Sequence, residues 1–333
     1  YLAIKLDRRV PNGSSEKWGK EIGLPASIAH CLHSISKNEK AVLILDQLDA
    51  LRWTQSHSRD ALLVCAEVIN QIYQLNLERK HKIAVVFVCR TYDLENDNNI
   101  NSLFNDYGNG TKFEWSKVKV SVFTEDIVRK VIGNRYSLLT SKLQSVIQIP
   151  SNLFIWQQLS PQESYAECSS TGHLITKWWN QLERKCVDYG LDVKEMNEII
   201  NQIVDWLEKK GRIYFPKNLI NNSSYLEFLS SNEFLMIQDS KVSFAHQSIL
   251  DNFFADKMLQ KYFDEKNITE IVGEKDRQTP GKRYQVQMLM EKLLEFESHD
   301  FLDMGQKLFE SKEVRYFIKF VFIEVLNQIE ILD

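Results

Sequence analysis

The chain has 333 residues, of which 44% are hydrophobic and 26% charged, and its net charge is −4. This composition is typical of globular proteins, and the length is enough for two or three domains. An acidic balance gives no general attraction to nucleic acid. No apolar run approaches the roughly 18 residues of a membrane span, and no secretory signal opens the chain. The five cysteines include no C-x-x-C pair, so no disulfide framework is expected. These features predict a cytoplasmic protein without a membrane partner and disfavour a nucleic-acid partner.

The first residues predict an incomplete domain. Residues 1–7 read as a strand that is already under way, with no initiator methionine and no turn signal before it. The phosphate-cradling pattern G-x-x-x-x-G-K-[ST] is absent from all 333 residues. That pattern supplies backbone amides and a lysine to a bound triphosphate. We therefore expect a fragment that alone binds nucleotide weakly or not at all.

Residues 41–51 carry the strongest functional signal. Five apolar residues lead directly into Asp46, and Asp49 follows three positions later. A run that is apolar on both faces is typical of a strand in a parallel sheet whose helices cover both sides. Asp46 should then stand at the carboxyl end of a buried strand, where ligands of such sheets bind.

A second strand of the same kind completes the prediction. Residues 83–89 form an apolar run that ends at Arg90, and residues 59–77 between the two strands carry apolar residues at helical spacing. Strand, crossover helix and strand form a parallel pair. Asp46 and Arg90 are thus expected to face one crevice, a combination that suits a metal ion and a phosphate. The alternative is ordinary loop chemistry after two buried strands.

Helices are predicted to dominate the second half of the chain. Residues 117–122 alternate like a last strand, and Thr124 is then expected to cap a helix. Pro150 should end one helix and begin the next, because the residue before a proline disfavours helix and proline tolerates the first turn.

A compact pattern follows. It comprises a helix at 197–210, a strand at 213–215, a helix at 225–230, a hairpin of 234–237 with 241–244, and a helix at 248–262. This order predicts a winged helix. From residue 282 helix pairs follow, and the last helix has one broad apolar face from Val314 to Ile329. Such a face predicts the beginning of a helical repeat array.

Four segments, in chain order, resemble the signal-transduction NTPases with numerous domains, the STAND class that includes the NACHT proteins. They are residues 43–51 (LILDQLDAL), 89–95 (CRTYDLE), 123–126 (FTED) and 244–251 (FAHQSILD). The resemblance covers about the first 262 residues. It implies an α/β plus α fold with four parts: a partial P-loop NTPase core with a parallel sheet (1–122), a helical lid (123–190), a winged-helix domain (191–265) and the beginning of α-helical repeats (266–333).

The resemblance also implies a role for individual residues. Asp46 matches the Walker B acid, which holds Mg²⁺ directly or through water, and Asp49 matches the acid that orients or deprotonates the attacking water. Arg90 matches the sensor-1 arginine that reads the γ-phosphate. Pro150 matches the lid proline that lies against the adenine. His246 matches the winged-helix histidine that touches the β-phosphate in the ADP state. Without the family, the favoured interpretation of His246 is a satisfied interface residue between Phe244 and an amphipathic helix. Gln47 stands between the two acids where many relatives have a small residue.

The implied function is a nucleotide switch with ATP or ADP and Mg²⁺ as ligands. In such proteins ADP clamps the lid and winged helix against the core, and exchange for ATP permits self-association. Terminal repeats sense a protein ligand, and several relatives are similar to bacterial antiviral-defence ATPases. ATP hydrolysis is expected if a Walker A segment lies upstream, and not from these residues alone.

Two alternatives remain open at this stage. One is a scaffold protein whose degenerate core no longer hydrolyses nucleotide, which the missing phosphate loop favours. The other is a winged-helix regulator that binds DNA, which needs a basic recognition helix. Residues 225–234 carry Glu227 and Glu233 and no Lys or Arg, which disfavours DNA binding.

Overall fold

A computed structural model of the chain describes residues 1–6, 9–52, 58–104, 114–160 and 168–327. They form two compact units, one of residues 1–120 with 211–213 and one of residues 121–210 with 214–333. A parallel sheet followed by many helices confirms the predicted α/β plus α class. The finer division into core, lid, winged helix and repeats stays a prediction. Within the described ranges, none of the helices combines the length and the apolarity that crossing a lipid bilayer requires.

The first unit alternates strands and helices. Its strands are β1 (Leu2–Lys5), β2 (Ala41–Asp46) and β3 (Ile83–Phe87). Its helices are α1 (Ser15–Glu21), α2 (Ile28–Ser36), α3 (Ser58–Glu78), α4 (Thr91–Asn96) and α5 (Asn98–Ser102), and a 3-10 helix spans Leu48–Arg52. The predicted strand, helix and strand unit is thus confirmed as β2, α3 and β3.

The sheet of the first unit is parallel, with β2 in the middle of the order β1-β2-β3. Leu43 pairs with Leu2 on one side and with Val85 on the other. One face of the sheet is buried against α1, α2 and α3 in a single core. A central, doubly paired strand is the most constrained part of such a sheet, so residues directly after β2 start from a fixed position.

The expectation that helices cover both faces of this sheet is not met by the described residues. Along β2, every second residue is fully buried and the others are partly exposed. On β3, Val86 is 42% exposed. The sequence showed that both faces are apolar, but that property alone does not determine what packs on each of them.

The strand predicted at residues 117–122 is wrong. The described residues 114–124 contain no strand, and Val118 and Val120 are 81% and 88% exposed. Alternating valines favour extended backbone, but a strand also needs a neighbouring edge to which its backbone can hydrogen-bond. No such pairing forms within the described part of the chain.

The second unit is mostly helical. Its helices are α6 (Glu125–Ile132), α7 (Ser141–Val146), α8 (Pro150–Gln158), α9 (Thr171–Asp188), α10 (Val193–Lys210), α11 (Ser223–Ser231), α12 (Gln247–Phe263), α13 (Ile268–Val272), α14 (Pro280–Phe296), α15 (Ser298–Glu310) and α16 (Tyr316–Leu326). Short 3-10 helices lie at Gly133–Leu138, Lys217–Leu219 and Lys275–Arg277. Ile329 of the predicted apolar face lies outside the described residues. Thr124 stands at the N-cap of α6 as predicted, although its side chain makes no capping hydrogen bond.

A small antiparallel sheet follows α10. Its strands are β4 (Phe215–Pro216), β5 (Leu235–Gln238) and β6 (Lys241–Phe244), in the order β4-β6-β5. The predicted hairpin is confirmed, and the strand predicted at 213–215 begins two residues later. Gly211 follows α10 with φ +57°, a left-handed conformation that glycine adopts without steric cost.

A second core in this unit joins α12 to the helices after it. The hydroxyl of Tyr262 on α12 lies 2.7 Å from Oδ2 of Asp303 and 3.1 Å from Oδ1 of Asp300, both on α15. Lys307 Nζ is 2.6 Å from the same Asp303 oxygen. Burial pulls the pKa of Asp303 upward, but the hydrogen bonds from Lys307 and Tyr262 outweigh it and hold the pKa below its ordinary value.

A lowered folded pKa makes this contact pH-dependent. Asp303 contributes stability that is present above its unfolded pKa of about 3.9 and is lost as the pH falls through the lower folded value. Replacing Lys307 by Gln should therefore reduce the loss of unfolding free energy between neutral pH and about pH 3. The measurement is urea unfolding at both pH values. Lys312→Gln, which removes an equal charge at an exposed position, should keep the wild-type pH profile. Identical profiles for both variants would contradict this assignment.

Candidate functional site

The carboxyl ends of β2 and β3 are held side by side. Leu45 pairs with Phe87 in the parallel ladder. Beyond it, the Val88 amide donates a hydrogen bond to the Leu45 carbonyl, and the Leu48 amide donates one to the Val88 carbonyl. The nitrogen–oxygen distance is 3.0 Å in each bond. These two bonds carry the pairing past the end of β3. They fix the chain on both sides of Asp46, the last residue of β2.

The turn after Asp46 has an unusual backbone. Gln47 has φ +60°, in the left-handed region that residues with a Cβ rarely adopt. The chain then enters the 3-10 helix, which is anchored by the fully buried side chains of Leu48 and Leu51. This reversal turns Asp49 back toward the end of β3. Sequence reasoning missed it, because glutamine carries no signal for a left-handed conformation.

Asp49 and Arg90 form an ion pair across the strand ends. Arg90 Nε lies 3.2 Å from Oδ2 of Asp49, and the side chains are 40% and 12% exposed, respectively. A nearly buried carboxylate needs such a partner, because burying an unpaired charge is costly. The ends of β2 and β3 are adjacent, as predicted, but the direct partner of Arg90 is Asp49. No residue pattern in the sequence signals this pairing.

The remaining groups of this edge are available to a ligand. Among the described residues, the half-buried carboxylate of Asp46 makes no hydrogen bond or ion pair, and the terminal nitrogens of Arg90 make no further hydrogen bond or ion pair. A free carboxylate oxygen suits Mg²⁺, which takes one or two protein carboxylates and completes its shell with phosphate oxygens and water. A free guanidinium face suits a phosphate. Asp46 and Arg90 are therefore the residues of this edge that could hold a magnesium ion and a phosphate.

The described residues offer no site where protein side chains alone could hold a metal ion. Across the described ranges, no group of three or more His, Cys, Asp or Glu side chains could hold a metal ion. A metal at Asp46 would thus need a ligand such as a phosphate to complete its coordination.

The other two predicted site residues belong to the second unit. Pro150 occupies the first turn of α8, after Ile149 in extended conformation, as predicted. His246 is the N-cap of α12, but its imidazole does not cap the helix. Its ring lies 4.7 Å from the ring of Phe154, four residues after Pro150 on α8. Phe154 thus connects His246 to α8, the helix that Pro150 begins. Sequence reasoning did not single out Phe154.

Comparison with known proteins adds no identification. No family model matches the chain, and no curated protein matches it. The assignment of roles to the five residues therefore depends on their chemistry and geometry and on the sequence resemblance.

The Asp49–Arg90 pair can be tested by its effect on stability. Arg90→Gln would leave the carboxylate of Asp49 without its charged partner, and should lower the free energy of unfolding by about 1–2 kcal/mol. Lys17→Gln is a matched control because it removes an exposed pair with Glu21, which should cost no more than about 0.5 kcal/mol. Urea unfolding of both variants measures the difference. Equal, small losses would show that the pair does not hold Asp49.

Proposed function

We propose that the chain is the ATPase module of a nucleotide-switched signal-transduction protein of the STAND class. ATP or ADP with Mg²⁺ is its ligand, and nucleotide exchange changes its conformation and permits self-association. The observation that carries this proposal is the edge of the parallel sheet, where Asp46 ends β2 and the Asp49–Arg90 pair follows. Within the described residues, the Asp46 carboxylate makes no hydrogen bond or ion pair. Acid and guanidinium groups at the carboxyl ends of adjacent parallel strands are suited to a triphosphate and its metal.

Each residue of this edge has a distinct task in the proposal. Asp46 holds the magnesium ion, which neutralises phosphate charge when bound. Asp49 orients the attacking water through its carboxylate. Arg90 donates hydrogen bonds from its free terminal nitrogens to the γ-phosphate, while its Nε keeps Asp49 in place. One guanidinium therefore serves both the phosphate and the residue that orients the water.

The second unit supports the switch part of the proposal. Helix, strand, helix and hairpin follow each other from α10 to β6, and the strand order β4-β6-β5 suits a winged helix. We propose that Pro150 lies against the adenine and that His246 meets the β-phosphate in the ADP state. The helices from α14 onward would then begin a repeat array that senses a protein ligand, in a bacterial defence or sensing protein.

A non-hydrolysing scaffold is the second candidate. It is favoured by the absence of G-x-x-x-x-G-K-[ST] from the 333 residues. Turnover requires that other sequence in the natural protein supplies the loop for the β- and γ-phosphates. A DNA-binding winged helix is disfavoured, because the nine residues of α11 contain no Lys or Arg.

Turnover by the natural protein, with any sequence that flanks these residues, tests the proposal. Asp46→Ala and Asp49→Ala should each lower the rate of ATP hydrolysis by about 100-fold or more, the range expected when a metal ligand or a general base is lost. Asp60→Ala removes an exposed carboxylate from the first turn of α3 and should leave the rate unchanged. Wild-type turnover in both site variants would refute the mechanism. Nucleotide binding without turnover in the wild type would favour the scaffold.

A further inference from the structure

The imidazole of His246 rests against an aromatic ring on another helix. The ring centroids of His246 and Phe154 are 4.7 Å apart, and the planes are tilted by 52°. The backbone of His246 begins α12, since its carbonyl accepts a hydrogen bond from the Ile249 amide. Its side chain is not used as a cap. The ring of Phe154 restricts the orientations that the imidazole can adopt.

Phe154 is itself held by a larger group of rings. We call this group the aromatic cluster; its members are Phe154, Trp178, Trp179, Phe234, Phe244 and Phe253. Trp178 and Phe234 form its fully buried centre, with ring centroids 5.0 Å apart. The Trp178 ring meets Phe154 edge-on at 6.2 Å. Close-packed side chains resist displacement, so the ring of Phe154 stays in place and offers a fixed surface to His246.

Contact with the ring of Phe154 reduces the conformational freedom of the His246 side chain before any ligand binds. A half-buried histidine that rotates freely loses conformational entropy when a ligand orders it. A ring that is already oriented avoids part of that loss, and so binds more tightly with no additional ligand contact. Phe154 lies on α8 four residues after Pro150, so it also connects His246 to the helix that the proposal places near the adenine.

We propose that Phe154 is a positioning residue for His246, which fixes the imidazole in the orientation in which it meets the nucleotide. This inference rests on the proposed function, in which His246 contacts the bound phosphate. Phe154 does not touch the nucleotide itself. It acts by joining His246 to the aromatic cluster, and so holds the imidazole in place relative to α8.

The test compares two phenylalanines of the same cluster. Phe154→Leu removes the ring that contacts His246. Phe253→Leu is the matched control, because Phe253 is also half-buried. Its ring contacts Trp179, Phe234 and Phe244 instead of His246. In the natural protein with its flanking sequence, Phe154→Leu should weaken ADP binding roughly 2- to 10-fold, as expected for one aromatic contact. Phe253→Leu should leave the ADP affinity within about twofold. Urea unfolding checks that both variants fold.

The same measurement in a His246→Ala background separates positioning from a general packing role. There Phe154→Leu should have no further effect on ADP affinity, because the residue through which it acts is gone. A full additional loss in that background, or an equal loss from Phe253→Leu, would overturn the proposal.

An NMR readout makes the inference independent of the nucleotide. The χ1 angle of His246, measured from three-bond couplings, should change or become averaged when Phe154 is replaced by Leu and stay as in the wild type when Phe253 is replaced. If neither the wild type nor the variants bind ADP, the proposed function fails. The NMR measurement on His246 still decides whether Phe154 orients the imidazole. A wild-type χ1 angle of His246 in Phe154→Leu would refute the positioning role even where ADP binds.

Discussion

Parallel pairing of β2 with β3 is the constraint on which the candidate site depends. The ladder aligns the ends of the two strands, and the bonds from Val88 to Leu45 and from Leu48 to Val88 extend that alignment into the loops. Once these backbones are fixed, Asp46, Asp49 and Arg90 share one edge of the sheet. A slip of one residue would move their side chains to the opposite face, so the register determines whether the acids and the guanidinium can serve one ligand.

The two carboxylates at this edge differ in burial and in their charged partners. Asp49 is nearly buried and satisfied by Arg90, whereas Asp46 is half-buried and has no protein partner in the part of the chain that the structure describes. Two carboxylates three residues apart therefore stand in different environments. One is held in place and the other is open to a cation. This asymmetry gives the two acids separate tasks in the proposed nucleotide site.

The sequence predicted the parts of this site that depend on periodicity. The apolar runs of β2 and β3 and the helical spacing of α3 determine the parallel unit, and hence that Asp46 and Arg90 share an edge. It did not predict that Arg90 pairs with Asp49, because this depends on the left-handed backbone of Gln47. The strand expected at residues 117–122 failed for a related reason. Local pattern specifies extended backbone, while a strand forms only where a second edge is present.

In the second unit, the individual elements were predictable and their contacts were not. The start of α8 at Pro150 and the hairpin before His246 follow from local signals. That Phe154 meets His246 depends on how α8 packs, which no spacing in the sequence encodes. The aromatic cluster thus supplies the connection between two elements that the sequence presents as separate.

The most direct measurement is an experimental structure of the natural protein with Mg²⁺ and a non-hydrolysable ATP analogue. We predict magnesium at about 2.0–2.1 Å from a carboxylate oxygen of Asp46, or one water molecule away, with a phosphate oxygen against the terminal nitrogens of Arg90. A nucleotide bound away from this edge of the sheet, with Asp46 and Arg90 in contact with solvent alone, would contradict the account.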